Sequence, residues 1–165
     1  MRKIDPTVLG IIFLTIVIFG GILITNRSAS TNNALSYNLS SNERPKLEIS
    51  KKNFSMGNIN VNDTKTEDIS IKNTGIKPLI LSNFSTSCDC TYGQLIIDDD
   101  QSPKFTMGKS SWSKELAPDE IAKLSITYKP SIMPVDGEVS RVVYFKTNDP
   151  ENTNVEIKFN AFVSK

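Results

Sequence analysis

The stretch Val155-Glu156-Ile157-Lys158-Phe159-Asn160-Ala161-Phe162 decides the fold class of this chain, because apolar and polar residues alternate along it one by one. A strand places successive side chains on opposite faces, so period two buries one face and leaves the other wet. Working outward, the same rhythm recurs in Val139-Ser140-Arg141-Val142-Val143-Tyr144-Phe145, in Ile121 to Tyr128, in Asp68 to Lys72 and in Leu47-Glu48-Ile49. Leu79-Ile80-Leu81 through Phe84 and Leu95-Ile96-Ile97 add two more short apolar runs. Turn signals separate them at Asn73-Thr74-Gly75, Ala117-Pro118-Asp119, Asp136-Gly137 and Asn148-Asp149-Pro150. No helical period occurs after residue 25. About seven strands in residues 46–165 predict an all-β, immunoglobulin-like sandwich.

The chain ahead of this region is of another kind. Val8 to Ile24 is 17 residues long without a charge, and as a helix it would extend roughly 26 Å, close to the thickness of a hydrocarbon core. We expect a transmembrane helix over 8–25 that acts as a signal anchor. Arg2 and Lys3 precede it and Arg27 follows, a bias that places residues 1–7 in the cytoplasm and the rest outside. Ser28-Ala29-Ser30 offers a cleavage site, but the apolar run exceeds the usual length of a cleaved signal peptide, and both readings export the remainder. No cysteine follows the run closely, which excludes a lipoprotein. Residues 26–45 hold five Asn, five Ser and one Thr, a composition expected of a flexible polar tether.

Composition removes several function classes. The 165 residues carry 19 basic and 18 acidic side chains, a net charge of +1 with no basic excess for nucleic acid. Histidine is absent, which excludes serine–histidine and cysteine–histidine nucleophiles and every imidazole metal site. With two cysteines, a four-cysteine zinc site is impossible within one chain.

Phe54-Ser55-Met56-Gly57, Asn73-Thr74-Gly75 followed by Pro78-Leu79, Ser87-Cys88-Asp89-Cys90-Thr91, Ala117-Pro118-Asp119-Glu120 and Thr147-Asn148-Asp149-Pro150 form an ordered set. In that order they resemble the bacterial domain of unknown function numbered fifteen seventy-three, related to the Hydin-type immunoglobulin-like sandwiches. The resemblance covers about Leu47 to Val163 and implies an exported or membrane-tethered seven-stranded module with no established enzymatic activity. Asp119 stands where that family usually has glycine. The stretch from Thr91 to Leu116 is longer than in minimal members and resembles a branch in which a glycine–methionine motif and histidines follow the cysteine pair. Here those histidine places fall to Lys109 and Met133.

In an extended strand Cys88 and Cys90 would present both sulfurs on one face, with Asp89 opposite. Four readings follow from the residues: buried core cysteines, a disulfide permitted by export, thiol redox chemistry, or a Cu(I) site completed by Met107 and Met133. Asp98-Asp99-Asp100 lacks the alternating spacing of a calcium loop and is expected to be a solvated hairpin tip. Trp112, the sole tryptophan, is expected to be half-buried where the inserted stretch meets the sandwich. The main expectation is a binding or structural module with no catalytic residues and no cofactor, held to a membrane by its helix and meeting an envelope protein. Cu(I) handling or thiol redox at Cys88 and Cys90 is the alternative.

Overall fold

The alternation quoted above becomes literal burial. In the computed structural model, Val155, Ile157, Phe159, Ala161 and Val163 are buried while the residues between them face solvent. The described residues are 37–39, 42–108 and 110–165. The expected membrane span, with Val8 and Ile24, most of the expected tether, and Lys109 lie outside them. Among the described residues no helix is long and apolar enough to cross a membrane.

Among the described residues ten strands form: β1 (Leu47–Ile49), β2 (Asn53–Asn60), β3 (Lys65–Asn73), β4 (Leu79–Thr86), β5 (Thr91–Ile97), β6 (Asp100–Gln101), β7 (Ser113–Leu116), β8 (Ile121–Tyr128), β9 (Gly137–Thr147) and β10 (Asn154–Ser164). They make two five-stranded sheets, in the orders β1-β3-β8-β5-β6 and β2-β10-β9-β4-β7. The all-β sandwich is as expected, with three strands more than the periodicity predicted. β6 and β7 are short pieces of the inserted stretch. β2 escaped because its buried residues, Met56 and Ile59, stand three apart. A bulge causes this: opposite β10 the register slips between Ser55 and Gly57, and Gly57 takes φ +69°. An extra residue in a bulge breaks period two.

The chain changes sheets between β1 and β2. β1 pairs antiparallel with β3, whereas β2 pairs parallel with β10. Between the sheets the inward faces meet in one core. Phe84 of β4 lies at its centre, with ring centroids 4.9 Å from Phe105, 5.3 Å from Phe145 and 5.8 Å from Trp112. Phe105 comes from the inserted stretch, which crosses from the β5 edge of one sheet to the β4 edge of the other. Its backbone pairs with Gly93 and then offers the Thr106 carbonyl to the Thr86 N–H, 3.0 Å away. The insertion is thus a side wall, and Trp112 is half-buried against the core as expected.

At one end of the sandwich, two buried polar side chains hold the entry of the chain. Asn73 uses all its hydrogen-bonding capacity. Its Oδ1 accepts from Lys46 N (3.3 Å) and Gly75 N (3.0 Å), and its Nδ2 donates to the Lys77 and Leu116 carbonyls (2.9 and 3.0 Å). Its backbone bonds to Asp119 and Glu120. Asp149 accepts four bonds, from Leu47 N (2.9 Å), Arg44 Nη1 (3.1 Å), Glu151 N (3.0 Å) and Asn152 Nδ2 (2.8 Å). Gly75 is required by close approach: a Cβ there would sit 2.4 Å from the Arg44 carbonyl oxygen and the Lys46 nitrogen.

Removing a buried acceptor leaves its donors unsatisfied. Asp149→Ala is therefore expected to lower unfolding free energy by about 2–4 kcal/mol. Glu151→Ala, which removes only a half-exposed partner of Arg44, should cost less than about 1 kcal/mol. Urea midpoints at unchanged m-value check both.

Candidate functional site

The opposite end carries the cysteines. β4 leaves one sheet at Thr86 and β5 enters the other at Thr91, so Ser87 to Cys90 form the corner between the sheets. The expected extended strand is corrected here: residues 87–90 are bend and turn, and Asp89 is exposed at the tip rather than opposite the sulfurs on a strand. Two local side chains shape the turn. Thr86 Oγ1 contacts the Cys88 and Thr91 carbonyls (2.8 and 3.0 Å), and Ser87 bonds to Val142 of β9 through both its backbone and its hydroxyl. A chain turning back within three residues brings the Cα atoms of Cys88 and Cys90 to 5.3 Å, within bonding range, and the two sulfurs form a disulfide. Of the four readings open for the pair, the structure shows two together, core cysteines joined in a disulfide.

Both cysteines are buried, Cys88 5% and Cys90 0% exposed. A bridge closing a three-residue loop removes little freedom from the unfolded chain, about 1.6 kcal/mol by the loop-entropy relation. The sandwich has its own apolar core, so this bridge is not what holds it together.

The residue that periodicity alone did not mark is Arg141. It stands on β9 directly across from Phe159, between Val139 and Val143, on the face that points into the core. Its Nε donates to Cys90 Sγ at 3.3 Å, its Nη1 to the Ser140 carbonyl at 2.9 Å, and its guanidinium lies 5.9 Å from the Tyr128 ring centroid. Among the described residues, none of the ion pairs includes Arg141. The Tyr128 hydroxyl is buried without a hydrogen-bond partner, and burial holds the phenol above its ordinary pKa, an effect Arg141 partly offsets. The signal was present in Val139-Ser140-Arg141-Val142-Val143, where a charge interrupts an apolar stripe at an inward position.

The methionines sit toward the same end. Met133 follows a 3₁₀ turn, Pro130–Ile132, that is tied to the corner by the Lys129 N–H bonding the Cys90 carbonyl at 2.8 Å. Met107 follows Thr106, the partner of Thr86. Met107 is 56% exposed, Met133 and Ile132 each 48%. As a disulfide, Cys88 and Cys90 do not fit Cu(I), since thiolates are the ligands. Asp98 to Asp100 lie at the β5–β6 hairpin tip, with Asp100 paired to Lys114. No group of three or more carboxylates and cysteines able to hold a metal occurs among the described residues.

The quoted motifs now have local reasons. Asn73, Gly75 and Asp149 hold the chain entry. Asn148 secures Ile80 N and the Pro78 carbonyl (2.8 and 3.1 Å), and Asp119 adopts the left-handed conformation, φ +65°, that glycine favours.

A two-sheet β-sandwich whose chain changes sheets between β1 and β2 defines an immunoglobulin-like domain. Solved structures agree. A protein of unknown function from Porphyromonas gingivalis W83 superposes with TM-score 0.56 at 21% identity, over 75% of this chain and 49% of that one. PapD-like domain 7 of human CEP192 gives 0.51 at 14%, over 79% and 94%. A family 123 glycoside hydrolase from Clostridium perfringens gives 0.51 at 9%, over 73% and 27%. This chain spans about half the length of the Porphyromonas protein, and at these identities the likeness is one of fold. No curated protein matches the sequence. The model of the HYDIN/CFA65/VesB-like Ig-like domain matches residues 45–161, and the chain belongs to that family.

Replacing both cysteines by alanine is expected to cost about 1–2 kcal/mol and to leave unfolding cooperative. A loss above about 4 kcal/mol in urea unfolding would mean that the bridge holds the fold.

Proposed function

We propose that the chain is a membrane-anchored extracytoplasmic module that binds an envelope protein and carries out no catalysis. The observation that carries the location is the Cys88–Cys90 disulfide, because disulfides persist in oxidising compartments and are rare in the cytosol. The charge-free run from Val8 to Ile24 supports the same reading and supplies the anchor. The ordered motifs support membership of the domain of unknown function numbered fifteen seventy-three within the wider Hydin-type family.

Recognition is assigned to the cysteine end. Strand addition at β2 is disfavoured by its bulge and by Lys65, whose ammonium bonds the Met56 carbonyl, while β7 offers only four residues. Met107, Ile132 and Met133 give the cysteine end an adaptable apolar surface. A Cu(I) site of Cys88, Cys90, Met107 and Met133 belongs to the reduced protein, and what favours keeping it is that the backbone gathers all four at one end.

Alkaline carbonate extraction of native membranes is expected to leave the full chain in the pellet. Protease added to the outer face of the cytoplasmic membrane is expected to digest the sandwich. Release into the supernatant refutes the anchor, and protection of the sandwich refutes the orientation. For the alternative, the reduced chain should take one Cu(I) in a competition titration and lose it in Cys88→Ser/Cys90→Ser.

A further inference from the structure

We propose that the Cys88–Cys90 disulfide is a thiol-exchange centre and that Arg141 stabilises its reduced form by pairing with the Cys90 thiolate. The argument starts from Arg141. An arginine on the inward face of a strand is costly unless a counter-charge or a full set of acceptors meets it. Arg141 is only partly buried, and besides the Tyr128 side chain its contacts are one carbonyl and a sulfur, none of them an anion. A disulfide sulfur is a weak, uncharged acceptor, so the Nε–H is aimed at an atom that becomes an anion only on reduction. In the oxidised protein the guanidinium has no anion among the described residues, and a Cys90 thiolate at the same 3.3 Å supplies one.

The two sulfurs are not equivalent. Cys90 is fully buried beside Arg141, whereas Cys88 keeps slight exposure and its sulfur lies 3.5 Å from the Thr91 hydroxyl. The reaction partner is a dithiol, small or borne by a reductase. One of its thiolates attacks Cys88 Sγ, forming a mixed disulfide as the Cys88–Cys90 bond breaks, and the bonding pair leaves on Cys90 as the thiolate held by Arg141. The second thiol loses its proton and attacks its neighbouring sulfur within the dithiol. Cys88 departs and takes up a proton. The dithiol ends as a disulfide, and the protein, two electrons richer, holds Cys88 as thiol and Cys90 as thiolate. A leaving thiol of low pKa accelerates exchange, and stabilising the reduced form makes a disulfide more oxidising.

The charged and titratable groups around the pair are Arg141 on β9, Tyr128 and Lys129 at the end of β8, and Asp89 in the turn. Lys129 and Asp89 are both exposed, with opposite charges, which leaves Arg141 as the determinant. This centre is independent of whether the module binds an envelope protein, since either property can be lost without the other.

The test uses the full chain in mild detergent, without added copper. In Cys88→Ser, thiolate absorbance near 240 nm should show Cys90 half-ionised at least one pH unit below the value of about 8.5 for a free cysteine. In Cys90→Ser, Cys88 should titrate at or above that value. Adding Arg141→Gln to Cys88→Ser should raise the Cys90 midpoint by one unit or more, and Arg141→Lys should restore part of the shift. With both cysteines present, Arg141→Gln should move the equilibrium with reduced and oxidised dithiothreitol at least tenfold toward the protein disulfide. Cys90 titrating at or above about 8.5 in Cys88→Ser overturns the proposal. So does an unchanged dithiothreitol equilibrium in Arg141→Gln protein that retains the wild-type circular dichroism spectrum. If Arg141→Gln does not fold, the Cys88→Ser titration decides alone.

Discussion

The structure depends on how backbone groups are satisfied where the chain enters the sandwich. Strand ends and loops leave N–H and C=O groups that the ladders cannot reach, and burying them unpaired is costly. Asn73 and Asp149 answer this with eight side-chain hydrogen bonds between them, four each. Through these bonds residues 44–47, the turn after β3, the end of β7 and the turn after β9 become one rigid base. With that base fixed, β1 is held to β3 and the apolar faces of the two sheets are set against each other.

The sandwich therefore has two dissimilar ends. The base uses small polar residues whose every hydrogen-bonding site is occupied, leaving little chemistry to spare. The cysteine end is built differently: a corner between sheets, an inward arginine without a carboxylate, a phenol without a hydrogen-bond partner and three half-exposed apolar side chains. Unmet polar capacity and exposed apolar surface are where a protein interacts with something other than itself. That contrast, more than any motif, directs attention to the corner.

The strands legible in the sequence were those that bury one face without interruption. β8 coincides with the quoted run Ile121 to Tyr128, and β10 extends its run by one residue at the start and two at the end. β2 was hidden by the bulge at Gly57 and by three asparagines, a residue type poor in strands. β6 and β7 were hidden because pairing with β5 and β4, not their own composition, makes them strands. At the candidate site the cysteines were legible by type, but their placement was not, since a turn and a strand can share the same five residues. Arg141 was readable only as a misfit in an apolar stripe, and its meaning required knowing that Cys90 lies across from it.

The parallel pairing of β2 with β10 also sets an order of events. Residue 53 lies beside residue 158, so a strand near the start of the domain has no partner until almost the last residue is available. Pairings this distant in sequence are slow to form, because a long loop must close before they repay its entropy. A nascent chain lacking its final strand would hold β9 with one side open and β2 with no ladder at all. The domain is therefore built to complete its folding as a whole rather than piecewise during synthesis.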